Sequence, residues 1–452
     1  MELKNLKLSE LKPAAYNPRV PLKPGDPEYE ALALSIERNG YIEPIVVNSD
    51  YTIISGHQRR TVMMDLGKTE AEVIVVDIQD PEREKAANIA LNKIAGRWDE
   101  KALYDLLIDL EQAGADLAET GFSTDDLQDL FTNIDIETQA NDDGYDAGKA
   151  IEEKEAAGPP RTKYGDIWEL GEHRLMCGDA ADFNDVGLLM AGAEADLIIT
   201  DPPYNVDYEA KDKSLESAYK RNTTRKVNEI IGDRMDDDEF YNFLFRVFSN
   251  FCDIAKPGAA VYVFHADIEG LTFRQAFDAS GFTLKQVLIW EKNQFVIGRQ
   301  DYHWRHEPIL YGWKEGAAHY FIDDRHQDTV IIEDDIDFSA MKKQDLIAYI
   351  EKIRSDLAAR TSVQYEKKPA KSDMHPTMKP VALVGRFIQN SSRHRENVVD
   401  LFGGSGTTLI AAEQLHRVAY VMELNPVYCD VIIDRWEDFT GRKARQVRGG
   451  GD

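Results

Sequence analysis

Apolar residues change their spacing several times along the chain, and the changes divide it. Up to about residue 80, short apolar runs alternate with helical stretches: Ile45–Val47 and Val73–Val76 read as strands, and Glu30–Arg38 as a helix. Leu103, Leu106, Leu107 and Leu110 then recur at i, i+3, i+4 and i+7, which predicts one buried helix face, with Gly114 as its stop signal. Ser123-Thr124-Asp125-Asp126 predicts the cap of a last short helix ending near Phe131. Residues 134–162 are acidic, poor in aliphatics and close on Gly158-Pro159-Pro160, the pattern of a solvated linker. From Lys163 onward, apolar strands alternate with helices, the clearest being Leu197–Thr200, Ala260–Phe264, Val287–Trp290, Val398–Leu401 and Val418–Val421. That alternation predicts an α/β domain, a mostly parallel sheet with helices on both faces. A charged, helical-looking insertion lies between Ile331 and Thr361.

Composition narrows the class. A chain of 452 residues exceeds what one core usually supports, so two or more domains are expected. No apolar run reaches membrane-spanning length, and the start lacks the apolar core of a secretory signal. Cys177, Cys252 and Cys429 are far apart and form no Cys-x-x-Cys pair, which argues against structural zinc or a disulfide framework and for a reducing cytoplasm. A calcium loop over Asp142–Glu153 fails because Ala147 stands where the sharp turn needs glycine, so no metal is expected. The net charge of −28 sits awkwardly with binding of a polyanion. Its distribution is uneven, however: Lys211, Lys213, Lys220, Arg221, Arg225 and Lys226 crowd one stretch, and a phosphate-contacting loop fits them better than a merely solvated one.

Two stretches carry chemistry. Asp201-Pro202-Pro203-Tyr204 follows the apolar strand ending at Thr200, and turns after strands of an open parallel sheet point into the ligand cleft. Two prolines stiffen the turn and remove two backbone donors, leaving carbonyls as acceptors. A bare Pro-Pro would be only a rigid surface turn; the preceding acid and following aromatic change that. An exocyclic base amine is a poor nucleophile because its lone pair is delocalised into the ring. Accepting its N–H groups on the Asp201 carboxylate and the Pro202 carbonyl would localise that pair, while Tyr204 could stack on a flipped base. The second stretch, Asn397–Ile410, is a strand, a glycine-rich turn (Gly403, Gly404, Gly406) and a helix start. It lacks the lysine of a P-loop, which excludes that mode of nucleotide triphosphate hydrolysis. Glu423 ends the next strand, where an acid can hold ribose hydroxyls.

Together these stretches resemble the amino-methyltransferases of DNA in the circularly permuted order called the β class, over residues 163–443. The resemblance implies a Rossmann-like S-adenosylmethionine-dependent sheet. Asp201, Pro202, Pro203 and Tyr204 would be catalytic, and Asp179, Lys379, Asp400, Phe402, Gly404, Gly406, Thr407 and Glu423 would bind the cofactor. Residues 314–374 would be a short target-recognition insertion, and Lys211–Lys226 would contact DNA. It implies N6-adenine as target, with N4-cytosine as the alternative, because Asp rather than Ser precedes Pro-Pro-Tyr. Methylation at cytosine C5 is not expected, since none of the cysteines follows a proline as that chemistry requires.

Residues 1–80 resemble the ParB/sulfiredoxin-like domain through Tyr16-Asn17-Pro18-Arg19, Pro44–Val47 and Ser55-Gly56-His57-Gln58-Arg59-Arg60, with a helical extension over 81–133. That implies a small α+β domain and a nucleotide site on Gly56, His57, Arg59 and Arg60, with Asn88 and Asn92-Lys93 as a further contact. A nucleotide-gated DNA-binding protein of the partition type is the competing reading; an intact catalytic turn beside an intact cofactor loop argues against it. Double-stranded DNA is the expected partner, in a restriction–modification setting, with a homodimer left open and no membrane.

Overall fold

Alternation in Glu70-Ala71-Glu72-Val73-Ile74-Val75 gives a strand with one face inward, and Ala71, Val73 and Val75 are its buried side. The computed structural model describes residues 1–92, 98–137, 140–205, 235–296, 301–322, 324, 327–333, 365–366 and 378–449. It divides into two units, Met1–Glu137 and Thr138–Asp452. The N-terminal unit contains β1 (Glu2–Lys7), α1 (Pro27–Asn39), β2 (Ile45–Val47), β3 (Ile53–Ser55), α2 (His57–Asp65), β4 (Glu70–Val75), α3 (Pro81–Asn92), α4 (Glu100–Gln112) and α5 (Thr124–Glu137). The four strands form a sheet in the order β1-β4-β2-β3, covered by residues of α1 and α2 such as Tyr29, Ile36, Val62 and Met63. The expected leucine face of α4 is buried with Phe131 and Ile134 of α5. Ser123 and Asp126 exchange backbone–side-chain hydrogen bonds at the start of α5, which runs to Glu137, past the expected end near Phe131. The helices expected as a separate extension share a unit with the sheet. Asn88 of α3, fully buried, donates its amide to the Ile54 carbonyl of β3 at 2.7 Å.

The C-terminal unit runs α6 (Ala147–Ala157), β5 (Ile167–Leu170), β6 (His173–Cys177), α7 (Phe183–Met190), β7 (Ala195–Thr200), α8 (Asp237–Ile254), β8 (Ala255–Phe264), α9 (Gly270–Ala279), β9 (Phe282–Val296) and β10 (Trp304–Lys314). It continues with β11 (Val330–Glu333), β12 (Tyr365–Glu366), α10 (Val381–Ser391), β13 (Asn397–Asp400), α11 (Thr407–Gln414), β14 (Val418–Glu423), α12 (Pro426–Thr440) and β15 (Arg445–Arg448). Among the described residues eleven strands form one sheet, β12-β11-β9-β10-β8-β7-β13-β14-β6-β5-β15. The central five, β8-β7-β13-β14-β6, are parallel. The flanks depart from the expectation of a mostly parallel sheet: β10 is antiparallel to both β8 and β9, and the hairpin β5–β6 and strand β15 close the other edge antiparallel. Successive residues of the central strands point to opposite faces, so a continuous apolar strand needs cover on both. Leu197, Ile199, Val398 and Val421 pack with α10, α11 and α12. Ile198, Val399 and Met422 pack with α7, α8 and α9. Strand β15 carries the unit past the expected boundary at residue 443.

The acidic stretch read as a solvated linker is folded from Ala140 onward. Asp142 accepts the Val381 amide at 2.6 Å, supplying an acceptor at the otherwise uncapped start of α10. Asn141 and Gln414 exchange two hydrogen bonds at the end of α11. Asp143 binds the Arg435 guanidinium through both oxygens, at 2.7 and 2.8 Å, and Arg435 is only 1% exposed. Its acidic composition therefore reflects buried partners as well as solvation. Asp143→Ala would strand the buried Arg435 charge, so unfolding in urea should show a loss of about 3–5 kcal/mol. A loss below about 1 kcal/mol, the range of an exposed ion pair, would contradict the pairing.

Candidate active site

Helix α8 follows β7 on one face of the sheet, and α11 follows β13 on the other. Their neighbouring carboxyl ends therefore flank the crevice where the winding direction changes, the usual ligand position in an open α/β sheet. The Asp201–Tyr204 turn leaves β7 at Thr200, and the glycine-rich loop leaves β13 at Asp400. Thr200 Oγ1 donates to Asp400 Oδ1 at 3.2 Å across the two strand ends. One cavity is lined from both sides, by Asp201, Phe264 and Lys379 and by Asp400, Phe402 and Gly404.

Asp201, half-buried, sits in a cluster of charges with the buried Lys379 and Glu307. Lys379, just before α10, donates to Asp201 Oδ2 at 2.6 Å, and Tyr204 donates its hydroxyl to Asp201 Oδ1. The Lys379 ammonium is also 2.9 Å from Glu307 Oε1 and 3.2 Å from the Tyr204 oxygen. Glu307 Oε2 holds Lys292 of β9 at 2.6 Å. Burial raises the Asp201 carboxyl against the pull of Lys379, and the Glu307 charge adds to the rise. Burial acts the same way on Glu307, but Lys379 and Lys292 outweigh it and hold that carboxyl at about 2. Burial opposes the Lys379 charge, yet Asp201 and Glu307 together keep its pKa above the ordinary value. Lys379 was expected among the cofactor contacts. It lines the shared cavity; its ammonium is bound to Asp201, and its backbone carbonyl meets the loop, accepting from Thr407 Oγ1 at 3.3 Å.

The loop after β13 is held by backbone geometry. A Cβ at Gly403 would lie 2.4 Å from Val421 Cγ1, so only glycine lets the loop lie against β14. Gly404 has φ +52 and nothing within 4 Å of its missing Cβ, leaving that side of the backbone open. Its amide donates to Glu423 Oε2 at 2.8 Å, while Glu423 Oε1 accepts from Asn425. Each oxygen of this buried carboxylate keeps a further acceptor position, and burial pushes its pKa up to about 7. Asp400, buried beneath the loop, accepts from Thr408 Oγ1, the Phe402 amide and Thr200 Oγ1; burial nevertheless pushes it up to about 6. Phe402 packs edge-on to Phe243 of α8. Gly178 donates its amide to the Glu423 carbonyl, placing Asp179 at the neighbouring strand end. Arg435 reaches the loop from behind, donating to the Ser405 carbonyl at 3.0 Å while held by Asp143.

The basic residues Lys211, Lys213, Lys220, Arg221, Arg225 and Lys226 lie outside the described residues, as do Lys93, His375–Thr377 and most of the 314–374 insertion. The residues on either side of 206–234 are described: Asn205, directly after Tyr204, and Met235 exchange hydrogen bonds of 3.0 and 2.9 Å. In the N-terminal unit, Arg59 pairs with Glu43 and Arg60 donates to the Leu8 carbonyl, so both arginines serve the fold. His57 Nε2 accepts from the Ala14 amide, and burial pushes its pKa down to about 4. Sequence reasoning missed Glu307, Lys292, Asp143 and Arg435. The only hint of Glu307 was an acid heading the apolar run Pro308-Ile309-Leu310.

Two regions of the chain match known families. Residues 195–434, just over half of the chain, match the DNA methylase family, and residues 1–92 match the ParB N-terminal domain. The type II methyltransferase M2.MboI of Moraxella bovis is 24% identical over 250 residues, 54% of this chain and 81% of that protein. The DNA adenine methyltransferase YhdJ of Escherichia coli (strain K12) is 26% identical over 243 residues, 52% of this chain and 73% of that protein. The crystal structure of the M1.HpyAVI–SAM complex aligns with 58% of this chain and 98% of that one, at 18% identity and a TM-score of 0.37. With the Asp201–Tyr204 turn and the loop after β13 both inside the matched region, the chain belongs to the DNA methylase family.

Proposed function

We propose that this enzyme transfers a methyl group from S-adenosylmethionine to N6 of adenine in double-stranded DNA. The observation that carries the reading is the single cavity shared by Asp201 and the loop from Asp400 to Thr407. The residues fit the cofactor: Glu423 has acceptor capacity for ribose hydroxyls, Gly404 leaves open backbone, and Asp179, Asp201, Asp400 and Glu423 favour a cationic ligand. When bound, S-adenosylmethionine supplies an electrophilic methyl group on a sulfonium. Asp201 and the Pro202 carbonyl accept from the target amine, localise its lone pair and hold it in line. The proton that leaves nitrogen is taken up at an Asp201 oxygen. Lys211–Lys226, which follow this turn in the sequence, would bind phosphates of the duplex without reading sequence.

A second reading concerns the N-terminal unit. Helix α2 begins after Gly56 with no side-chain cap. Arg19 Nη1, Asn17 Oδ1, His57 Nδ1 and Asn88 Oδ1 are buried without a hydrogen-bond partner. Free amides at a helix start, with an unsatisfied guanidinium nitrogen, suit a nucleotide phosphate. Here Arg19, rather than Arg59 or Arg60, would be the cation.

Asp201→Asn should remove methyl transfer while cofactor binding by calorimetry stays within about threefold, since the amide cannot accept as the carboxylate does. Digesting the methylated DNA to nucleosides should give N6-methyladenosine by mass spectrometry; N4-methylcytidine would overturn the adenine assignment. Glu423 has its carboxyl at about 7 in the fold against an ordinary 4.5. The folded chain thus holds this proton more tightly, and stability without cofactor should fall as pH rises from about 4.5 to 7. Glu423→Gln should flatten that slope in urea titrations and weaken cofactor binding; an unchanged slope and affinity would remove its role. Ribonucleoside triphosphate should bind the full chain in calorimetry, and Arg19→Ala should weaken it at least about tenfold. No heat with the wild-type chain would end the nucleotide reading.

A further inference from the structure

Glu307 lies on β10, outside both stretches that carry the chemistry, yet it touches three side chains around Asp201. Its strand is fixed on both sides: Glu307 pairs with Trp290 of β9, and the next carbonyl, of Pro308, accepts the His265 amide at 3.2 Å. Its carboxylate is buried between two ammonium groups, Lys292 on Oε2 and Lys379 on Oε1.

The hydroxyl of Tyr204 raises a counting problem. It lies within hydrogen-bond distance of Asp201 Oδ1 and of Glu307 Oε1, but it has one proton. It can donate to either carboxylate, not to both at once. Asp201, meanwhile, has a ligand on each oxygen, Tyr204 on Oδ1 and Lys379 on Oδ2. Each oxygen keeps a second acceptor position, but an amine N–H placed on Oδ1 shares that oxygen with the Tyr204 hydroxyl and weakens its hold. Whatever leaves must find another acceptor in a buried site, because an unpaired polar hydrogen there is costly. Glu307 Oε1 already touches both the hydroxyl and the ammonium.

We propose that Glu307 is a positioning residue that takes over the Tyr204 hydroxyl, and more of Lys379, when the target amine occupies Asp201. No covalent bond changes: the Tyr204 O–H turns from Asp201 Oδ1 to Glu307 Oε1, and an amine N–H donates to the vacated Oδ1. The charges balance throughout, Asp201 and Glu307 against Lys379 and Lys292. Without Glu307, Lys379 would pair with Asp201 alone and draw electron density from the oxygen that must polarise the amine. The inference rests on the reading of Asp201 as the amine acceptor.

The groups facing Asp201 set the sign of the pH effect: Lys379 before α10, Tyr204 in its own turn, Glu307 on β10 and Asp400 on β13, with Lys292 on β9 and His265 after β8 around Glu307. Transfer requires ionised Asp201, so the rate rises with pH through its titration. The Glu307 charge raises that titration, and removing it should move the acid limb to lower pH.

The experiment measures methyl transfer from S-adenosylmethionine to duplex DNA by the full-length chain across pH, with cofactor affinity measured separately. Glu307→Gln should lower kcat about ten- to a hundredfold with cofactor Kd within about twofold, and shift the acid limb of kcat downward. In a Tyr204→Phe background, which has no hydroxyl to hand over, the same change should cost less than about threefold. Glu307→Gln/Lys292→Met removes one charge of each sign and should show the same loss and shift if the single variant fails to fold. A kcat within about twofold of wild type, an unmoved acid limb, or full additivity with Tyr204→Phe would overturn the hand-over. Asp201→Asn separates the two readings. If it is inactive while Glu307→Gln behaves as wild type, only the hand-over fails; if Asp201→Asn keeps turnover, the acceptor role fails and the hand-over with it.

Discussion

The pairing of β7 with β13, Leu197 beside Val398 and Ile198 beside Val399, is the constraint behind the site. These strands are far apart in sequence, and only their parallel alignment brings the ends of two unrelated loops within one side chain's reach. Their apolar residues alternate between two helical layers, so a slip of one residue would exchange every inward contact for one on the other face. The register that satisfies both layers is also the one that sets Thr200 against Asp400. Packing and chemistry are thus fixed by the same pairing.

Around that junction the protein buries acids without equal numbers of cations at each. Asp400 and Glu423 are stabilised by hydroxyls and amides and remain easier to protonate than in water. Asp201 and Glu307 share Lys379 and Lys292 instead. The first pair lies on the loop side and is held by neutral donors. The second pair lies on the turn side and is internally neutral, which allows hydrogen bonds to be exchanged without moving net charge. One crevice therefore offers two kinds of carboxylate, distinguished by partners rather than by depth.

Much of this was legible in the sequence because it is contiguous. Asp201–Tyr204 and Asp400–Thr407 each follow an apolar strand, so position along the chain already gives position in the sheet. The leucines of α4 behave as their spacing requires. Glu307 and Lys292 were not legible, since they join this cluster through the antiparallel pairing of β8, β9 and β10, which a mostly parallel sheet does not specify. Asp143 was misread for a different reason. Acidic composition ordinarily signals solvation, and its partner Arg435 stands inside a helix almost 300 residues later, with nothing local to mark it. Lys379 was expected among the cofactor contacts; that its ammonium is bonded to Asp201 is a contact its place in the sequence does not mark.

The reciprocal Asn205–Met235 bonds have a consequence for two elements at once. Asn205 stands directly after Tyr204, and Met235 stands two residues before α8, so one side-chain amide ties the residue after the turn to the approach of that helix. Its Nδ2 donates to the Met235 carbonyl and its Oδ1 accepts the Met235 amide, which uses both halves of the group. Asn205 also has φ +54, a conformation that asparagine tolerates better than most residues. Any replacement would therefore loosen the far side of the turn and the helix approach together.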